Sequence, residues 1–232
     1  MVVQAQEGLL TTSSPGGARA PRVLVATAVP AERDAVADRL PPHADAVAVG
    51  VGPAAAAAHT AAALARGPYD LVISAGIGGG FKPDAAIGSL VLAEEITVAD
   101  LGAETPDGFL PVTELGFGAV THLPPLSLVR EMAAACGALT GTVLTVSTVT
   151  GSAERAAELR RRHPRALAEA MEGFGVAEAA AAYALPVLEI RAISNAVGPR
   201  DRGAWRIGEA LGALGGAFGK FAPVLESWKR HD

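Results

Sequence analysis

The run Val187 to Ser194 constrains this chain more than any other stretch. Val-Leu-Glu-Ile-Arg-Ala-Ile-Ser follows Pro186 and is short, rich in β-branched residues and mostly apolar, which predicts an interior strand of a mixed or parallel sheet. Asn195 ends it. In open α/β sheets ligands bind beyond the carboxyl ends of the strands, so Ser194 and Asn195 stand where a site is expected. Just upstream, Gly173 to Leu185 is an Ala-rich segment closed by Pro186. It reads as a helix with Glu172 at its positive dipole end. Strand and helix therefore aim polar groups at one rim.

Met171-Glu172-Gly173 before a helix and Arg191-Ala192-Ile193-Ser194-Asn195 at a strand end resemble the motifs of the nucleoside phosphorylase and nucleosidase superfamily. The longer run Ile193 to Arg202, with Trp205 after it, is closer still to the futalosine hydrolase branch, and the similarity extends from Arg22 to Trp228. The resemblance implies a nucleoside phosphorylase-like three-layer α/β fold, a central mixed β-sheet flanked by helices. It also implies hydrolysis of the N-ribosidic bond of futalosine to hypoxanthine and dehypoxanthine futalosine, in menaquinone biosynthesis. Another 6-oxopurine nucleosidase or phosphorylase, or a non-catalytic nucleoside-binding protein of the same fold, are the competing readings.

The chain has 232 residues, 50% of them hydrophobic, enough for one large α/β domain with a buried core. We expect that domain to span residues 22–232, after a disordered tail over 1–21, which has neither a basic n-region nor a long apolar stretch. A net charge of -5 and basic residues that form no stripe beyond Arg160-Arg161-Arg162 give no reason to expect nucleic-acid binding. Nothing resembles a membrane span, because the Ala54 to Ala63 run is too short and holds His59 and Thr60. Cys136 is the single cysteine, so no intramolecular disulfide is possible and a reducing cytoplasm is the expected compartment. Five scattered histidines show no metal-ligand spacing, so no metal is expected. A G-x-S-x-G elbow for a serine hydrolase is also missing.

In chain order, Val23 to Thr27 predicts a strand and Pro30 to Leu40 a helix, with Glu32 just past the strand's carboxyl end. As a lone residue, Glu32 fits a first-turn acid that complements the helix dipole. Asp45 to Val49 predicts a second strand. Gly50-Val51-Gly52-Pro53-Ala54-Ala55 follows as a G-x-G-x-x-A string opening a helix to about Arg66. Asp70, the acid at a suitable distance, begins a strand rather than ending one, so tight packing is expected there and no nucleotide cofactor. Asp70 to Ser74 is the third strand. Ala75 to Phe81, with Gly76, Gly78, Gly79 and Gly80, reads as a loop that permits close backbone approach, or as a plain wide turn. Gly88 to Ala99 is β-rich, and its adjacent Glu94-Glu95 should point to opposite faces. Thr105 to Thr113 reads as a polar excursion. Leu123 to Cys136 is helical, Gly141 to Thr150 a strand ending near Val149, and Ala153 to Arg162 a helix. Gly198 to Gly203 is a loop before a long amphipathic terminal helix, Ala204 to Trp228.

The resemblance also suggests roles. Glu172 would accept hydrogen bonds from the ribose hydroxyls, and Met171 would pack on the sugar. Gly76, Ile77 and Gly78 would line the sugar subsite, with Val149 and Ser194 beside the ligand. Glu32 would orient and deprotonate a water. The phosphorylases' Arg on the strand and Ser in the loop for phosphate correspond here to Ile73 and Gly76, so water is the expected nucleophile. Asn195 would contact the purine. An Asp there can protonate N7, whereas an Asn donates to a 6-oxo group and accepts from a protonated N7, which favours hypoxanthine or guanine over adenine. Without the family, Asn195 fits equally well as a turn-stabilising residue. Arg200 and Arg202, the cations nearest in sequence, are candidates for the substrate carboxylate, though Asp201 could simply balance them in a solvated loop. The family further suggests at least a homodimer.

Overall fold

The computed structural model describes residues 19–228. In chain order the elements are β1 (Val23–Thr27), α1 (Pro30–Ala37), β2 (Ala44–Ala48), α2 (Pro53–Leu64), β3 (Leu71–Gly80) and β4 (Leu90–Val98). Then come β5 (Gly102–Thr105), β6 (Gly108–Pro111), β7 (Thr121–His122), α3 (Leu126–Cys136), β8 (Leu139–Thr145) and α4 (Ala153–Arg162). The last are β9 (Ala166–Ala170), α5 (Gly173–Ala182), β10 (Val187–Ala196) and α6 (Ile207–Ser227). Residues 1–18 of the expected tail lie outside the described residues. Arg19 is inside, and its guanidinium sits 3.0 Å from Asp70.

Eight strands form one mixed sheet in the order β10-β4-β8-β9-β3-β1-β2, with β7 on β4. β10 also pairs with β3, so five strands close on themselves and β1 and β2 extend from the lower half of β3. The expected α/β architecture holds, and the right-handed twist of strands carries the central sheet into a partial barrel. Each face buries its own core. Ile73 and Ile190 of the sheet pack against Leu214 and Phe218 of α6, whereas Val72 and Ile193 pack against Phe174 and Val176 of α5. Ala-rich α2 meets α5 closely, since a Cβ on Gly175 would stand 2.1 Å from the Pro53 carbonyl oxygen.

Several local expectations change. The glycine run Ala75 to Gly80 is strand, not loop. It uses glycine for close approach, because a Cβ on Gly80 would lie 2.2 Å from the Ala85 carbonyl oxygen. Ala166–Ala170, read as no element from sequence, pairs with β8 and with the end of β3. Strand β8 stops at Thr145, leaving Val149 and Thr150 in the loop beyond it. The polar excursion is the β5–β6 hairpin. Glu94 and Glu95 do not diverge, since a bulge in β4 between Ala93 and Glu95 lets both carboxylates approach Arg165.

Candidate active site

A cavity of about 620 Å3 opens at the carboxyl ends of β1, β3 and β10, the rim where α/β sheets hold ligands. Of the residues expected from sequence, it brings together Glu32, Ile77, Gly78, Val149, Met171, Glu172, Ser194, Asn195 and Arg200. Gly76 and Arg202 are not in its wall. Gly76 lies beneath it, where a Cβ would come within 2.6 Å of Arg191 Nη1 and 2.7 Å of Glu32 Oε1. Arg202 is on the exposed turn after Asp201.

Glu32 sits at the third position of α1 and is 4% exposed. The Ala28 and Val29 amides donate to its Oε2 at 2.9 and 3.3 Å, and the Ile77 amide donates to Oε1 at 2.9 Å. It is therefore both the helix-capping acid and a wall of the cavity, and three backbone donors on two elements fix its orientation. Glu172 caps α5. It takes the Gly52 amide at 3.3 Å through Oε1, and its Oε2 lies 3.3 Å from Arg191 Nη1. The G-x-G-x-x-A loop thus serves Glu172 and the α2–α5 contact, with Gly50 and Gly52 at φ +90 and +91.

Arg191, which the sequence offered only as part of the strand-end motif, takes a place in the site that the sequence reading did not assign. It is 1% exposed, with Nε donating to Glu189 Oε1 at 2.8 Å and Nη2 to Ser74 Oγ at 3.1 Å. Ile73 is core, yet a cation, Arg191, does stand beside Glu172 and is shared with Glu189. Burial pushes the Glu189 carboxyl up against the pull of Arg191, and the surrounding acids hold the guanidinium charged despite its burial. A signal was present, because Glu189 and Arg191 are opposite charges two apart on one face of an apolar strand.

At the other end, β10 has a bulge between Ile193 and Asn195. It takes Asn195 out of the alternation of Arg191 and Ile193 and sets it beside Gly79, as bulges near sites do. Ser194 Oγ lies 2.9 Å from Asn195 Oδ1 and Asn195 Nδ2 donates to the Ala196 carbonyl at 3.0 Å. One N–H and one lone pair of the amide remain for a ligand. The wall also holds Lys82, Glu169, Thr150 and Trp205, none of which was expected from sequence as a site residue. The Arg200 guanidinium stands 5.6 Å from the centre of the Trp205 ring.

Residues 45–218 match the family described as the phosphorylase superfamily. A futalosine hydrolase of Streptomyces coelicolor is 67% identical, covering 90% of this chain and 99% of its own. The chain belongs to the futalosine hydrolases of the phosphorylase superfamily. A second futalosine hydrolase, from Acidothermus cellulolyticus, is 47% identical over 84% of this chain and 88% of its own. Among solved structures, the 5'-methylthionadenosine/S-adenosylhomocysteine nucleosidase of S. pneumoniae with a transition-state inhibitor superposes with a TM-score of 0.76. It shares 19% identity over 88% of this chain and 99% of that one, which shows the common fold. Family membership makes the chain an N-glycosyl hydrolase that binds a nucleoside.

Proposed function

We propose that this cavity hydrolyses the N-ribosidic bond of futalosine, with Glu32 activating water, Glu172 holding the ribose hydroxyls, Met171 against the sugar and Asn195 on the base. Cleavage of this bond needs an oxocarbenium-like sugar stabilised, charge on the leaving purine neutralised and a nucleophile positioned, all electrostatic and positional tasks. The observation that carries the reading is the pair of buried carboxylates, Glu32 and Glu172, fixed by Ile77, Gly52 and Arg191 on the sugar side of a cavity whose far wall is an amide. Two carboxylates favour a cationic sugar and repel a phosphate dianion. Arg191 does not reverse this, because Glu189, Glu172 and Ser74 already engage it. Water is therefore the nucleophile.

Among the described residues no helix is long and apolar enough to cross a membrane. We also infer a cytoplasmic enzyme from its single cysteine, and a homodimer or higher homo-oligomer, supported by exposed Phe117 (69%) and Leu123 (73%); sedimentation tests the latter, and a monomer at assay concentration would refute it. Product analysis with futalosine, inosine and methylthioadenosine, with and without phosphate, tests the reaction. Hypoxanthine should leave futalosine at a rate independent of phosphate, and a sugar 1-phosphate product would refute the reading. Glu32→Gln keeps the shape and should lower kcat by about 10²-fold or more while substrate still binds.

A further inference from the structure

We propose that Glu169 is the second residue that reads the purine, its carboxylate accepting the N1–H of a 6-oxopurine whose O6 and N7 face Asn195. This rests on the hydrolase reading and specifies its base subsite. Strand β9 places Glu169 directly opposite Gly79 on one side, and β10 places Asn195 directly opposite Gly79 on the other. Neighbouring strands lie about 4.8 Å apart, so the two backbones stand about 10 Å from each other. Between them is a residue without a side chain. A Cβ on Gly79 would come within 3.3 Å of Asn195 Nδ2 and 2.9 Å of Val197 Cγ2, so glycine lets these side chains close in over the strand between the two arms. Both Glu169 and Asn195 line the cavity. Two polar arms on one cavity wall, flanking a strand without a side chain of its own there, suit a flat bicyclic base read along one edge.

Glu169 is equipped for this task. It is 5% exposed, and among the described residues no ion pair involves it. The Thr150 amide donates to Oε1 at 2.8 Å and the Thr150 hydroxyl donates to Oε2. Those bonds hold the carboxylate in place and use two of its roughly four lone-pair positions. Burial pushes its carboxyl up while the Thr150 bonds pull it down, and an N1–H donor would favour the charged form further.

The two arms differ in what they can discriminate. Hypoxanthine presents an acceptor at O6 and a donor at N1, whereas adenine presents a donor at its 6-amino group and an acceptor at N1. An amide can turn over and exchange its donor and acceptor, so Asn195 alone can suit either base. An ionised carboxylate only accepts. Opposite N1 of adenine it would set lone pair against lone pair, which makes Glu169 the residue that fixes the choice.

Equilibrium binding of hypoxanthine, 1-methylhypoxanthine and adenine to the unmodified protein and to Glu169→Gln tests the inference. The unmodified protein should favour hypoxanthine over both other bases by roughly 10- to 100-fold, the scale of a charge-assisted hydrogen bond. In Glu169→Gln the side-chain oxygen stays with Thr150 and the amide NH₂ faces N1, so the hypoxanthine-to-adenine ratio should fall by a similar factor. An unchanged ratio in a folded variant overturns the inference. Equal binding of hypoxanthine and 1-methylhypoxanthine by the unmodified protein also overturns it, whatever the variant does. These measurements need no turnover, so failure of the hydrolase reading is read separately, as no hypoxanthine released from futalosine.

Discussion

Replacing Arg191 by Leu should be the most damaging single change in the site, through stability as well as rate. The guanidinium is 1% exposed and meets Glu189 at 2.8 Å, Ser74 Oγ at 3.1 Å and Glu172 at 3.3 Å. Removing it leaves Glu189, fully buried, and Glu172, 6% exposed, without their cation. Breaking one buried pair in this way costs about 3–5 kcal/mol. For a domain of this size each kcal/mol lowers the melting temperature by about 2–4 °C, so a fall of about 6–20 °C is expected. Glu189→Leu added to Arg191→Leu removes one orphaned carboxylate, so the double variant should be more stable than Arg191→Leu by about 1–3 kcal/mol. Denaturant unfolding of both single variants, the double variant and the parent closes the cycle, and futalosine turnover in parallel reports the loss of Glu172 orientation. If the second substitution lowers stability further, or if Arg191→Leu unfolds like the parent, Arg191 does not hold these carboxylates and the account of the sugar side fails.

Gly76→Ala should lower kcat/KM by about 10²-fold, the scale of an ångström misplacement, because its Cβ would crowd Arg191 Nη1 and Glu32 Oε1 at 2.6 and 2.7 Å; near-parental kinetics would show that neither position matters. Arg200→Ala should raise KM for futalosine more than for inosine, whereas Arg202→Ala, outside the cavity wall, should change neither; equal effects on both substrates would remove Arg200 from carboxylate recognition. Burial, helped by Arg162, holds the His163 imidazole below its usual range. The unfolded chain therefore binds a proton first, and stability should fall as pH drops below about 6.5. His163→Gln should flatten that acid limb in pH-dependent unfolding, and an unchanged limb would refute the assignment.

What was legible in the sequence was local. Strand β10 announced itself by its apolar run after Pro186, α5 by its alanines, and Glu32 by its place in a first helical turn. The unread parts depend on partners distant in sequence. Ala166 to Ala170, Ala-Leu-Ala-Glu-Ala, has residues of high helix propensity and is a strand only because β8 and the end of β3 flank it. Its Glu169 could not be placed until that pairing was known. The bulges in β4 and β10 leave no compositional mark, yet one gathers Glu94 and Glu95 at Arg165 and the other sets Asn195 beside Gly79. Turn chemistry misread Gly76 to Gly80 because glycine also serves where something must come close, and each contact that reveals this comes from another element.

On the proposed reading, that glycine strand lets one rim serve both halves of the chemistry. The Ile77 amide of β3 orients Glu32, and Gly76 leaves the room in which Glu32 and Arg191 approach each other. Three residues further along, Gly79 sits between Asn195 and Glu169. At about 3.3 Å per residue, the carboxylates proposed for the sugar and the residues proposed for the base are separated by about 10 Å along a single extended backbone, a span suited to a nucleoside lying along it. A side chain at Gly76 would disturb the first station and one at Gly79 would fill the second. The weak strand propensity of glycine is offset by β10, which pairs with β3 from Val72 to Gly80, and by β9 on the other side of Gly79 and Gly80. On the proposed reading the scissile bond is then placed by the register of one interior strand, which would give the hydrolase the fixed geometry that electrostatic catalysis requires.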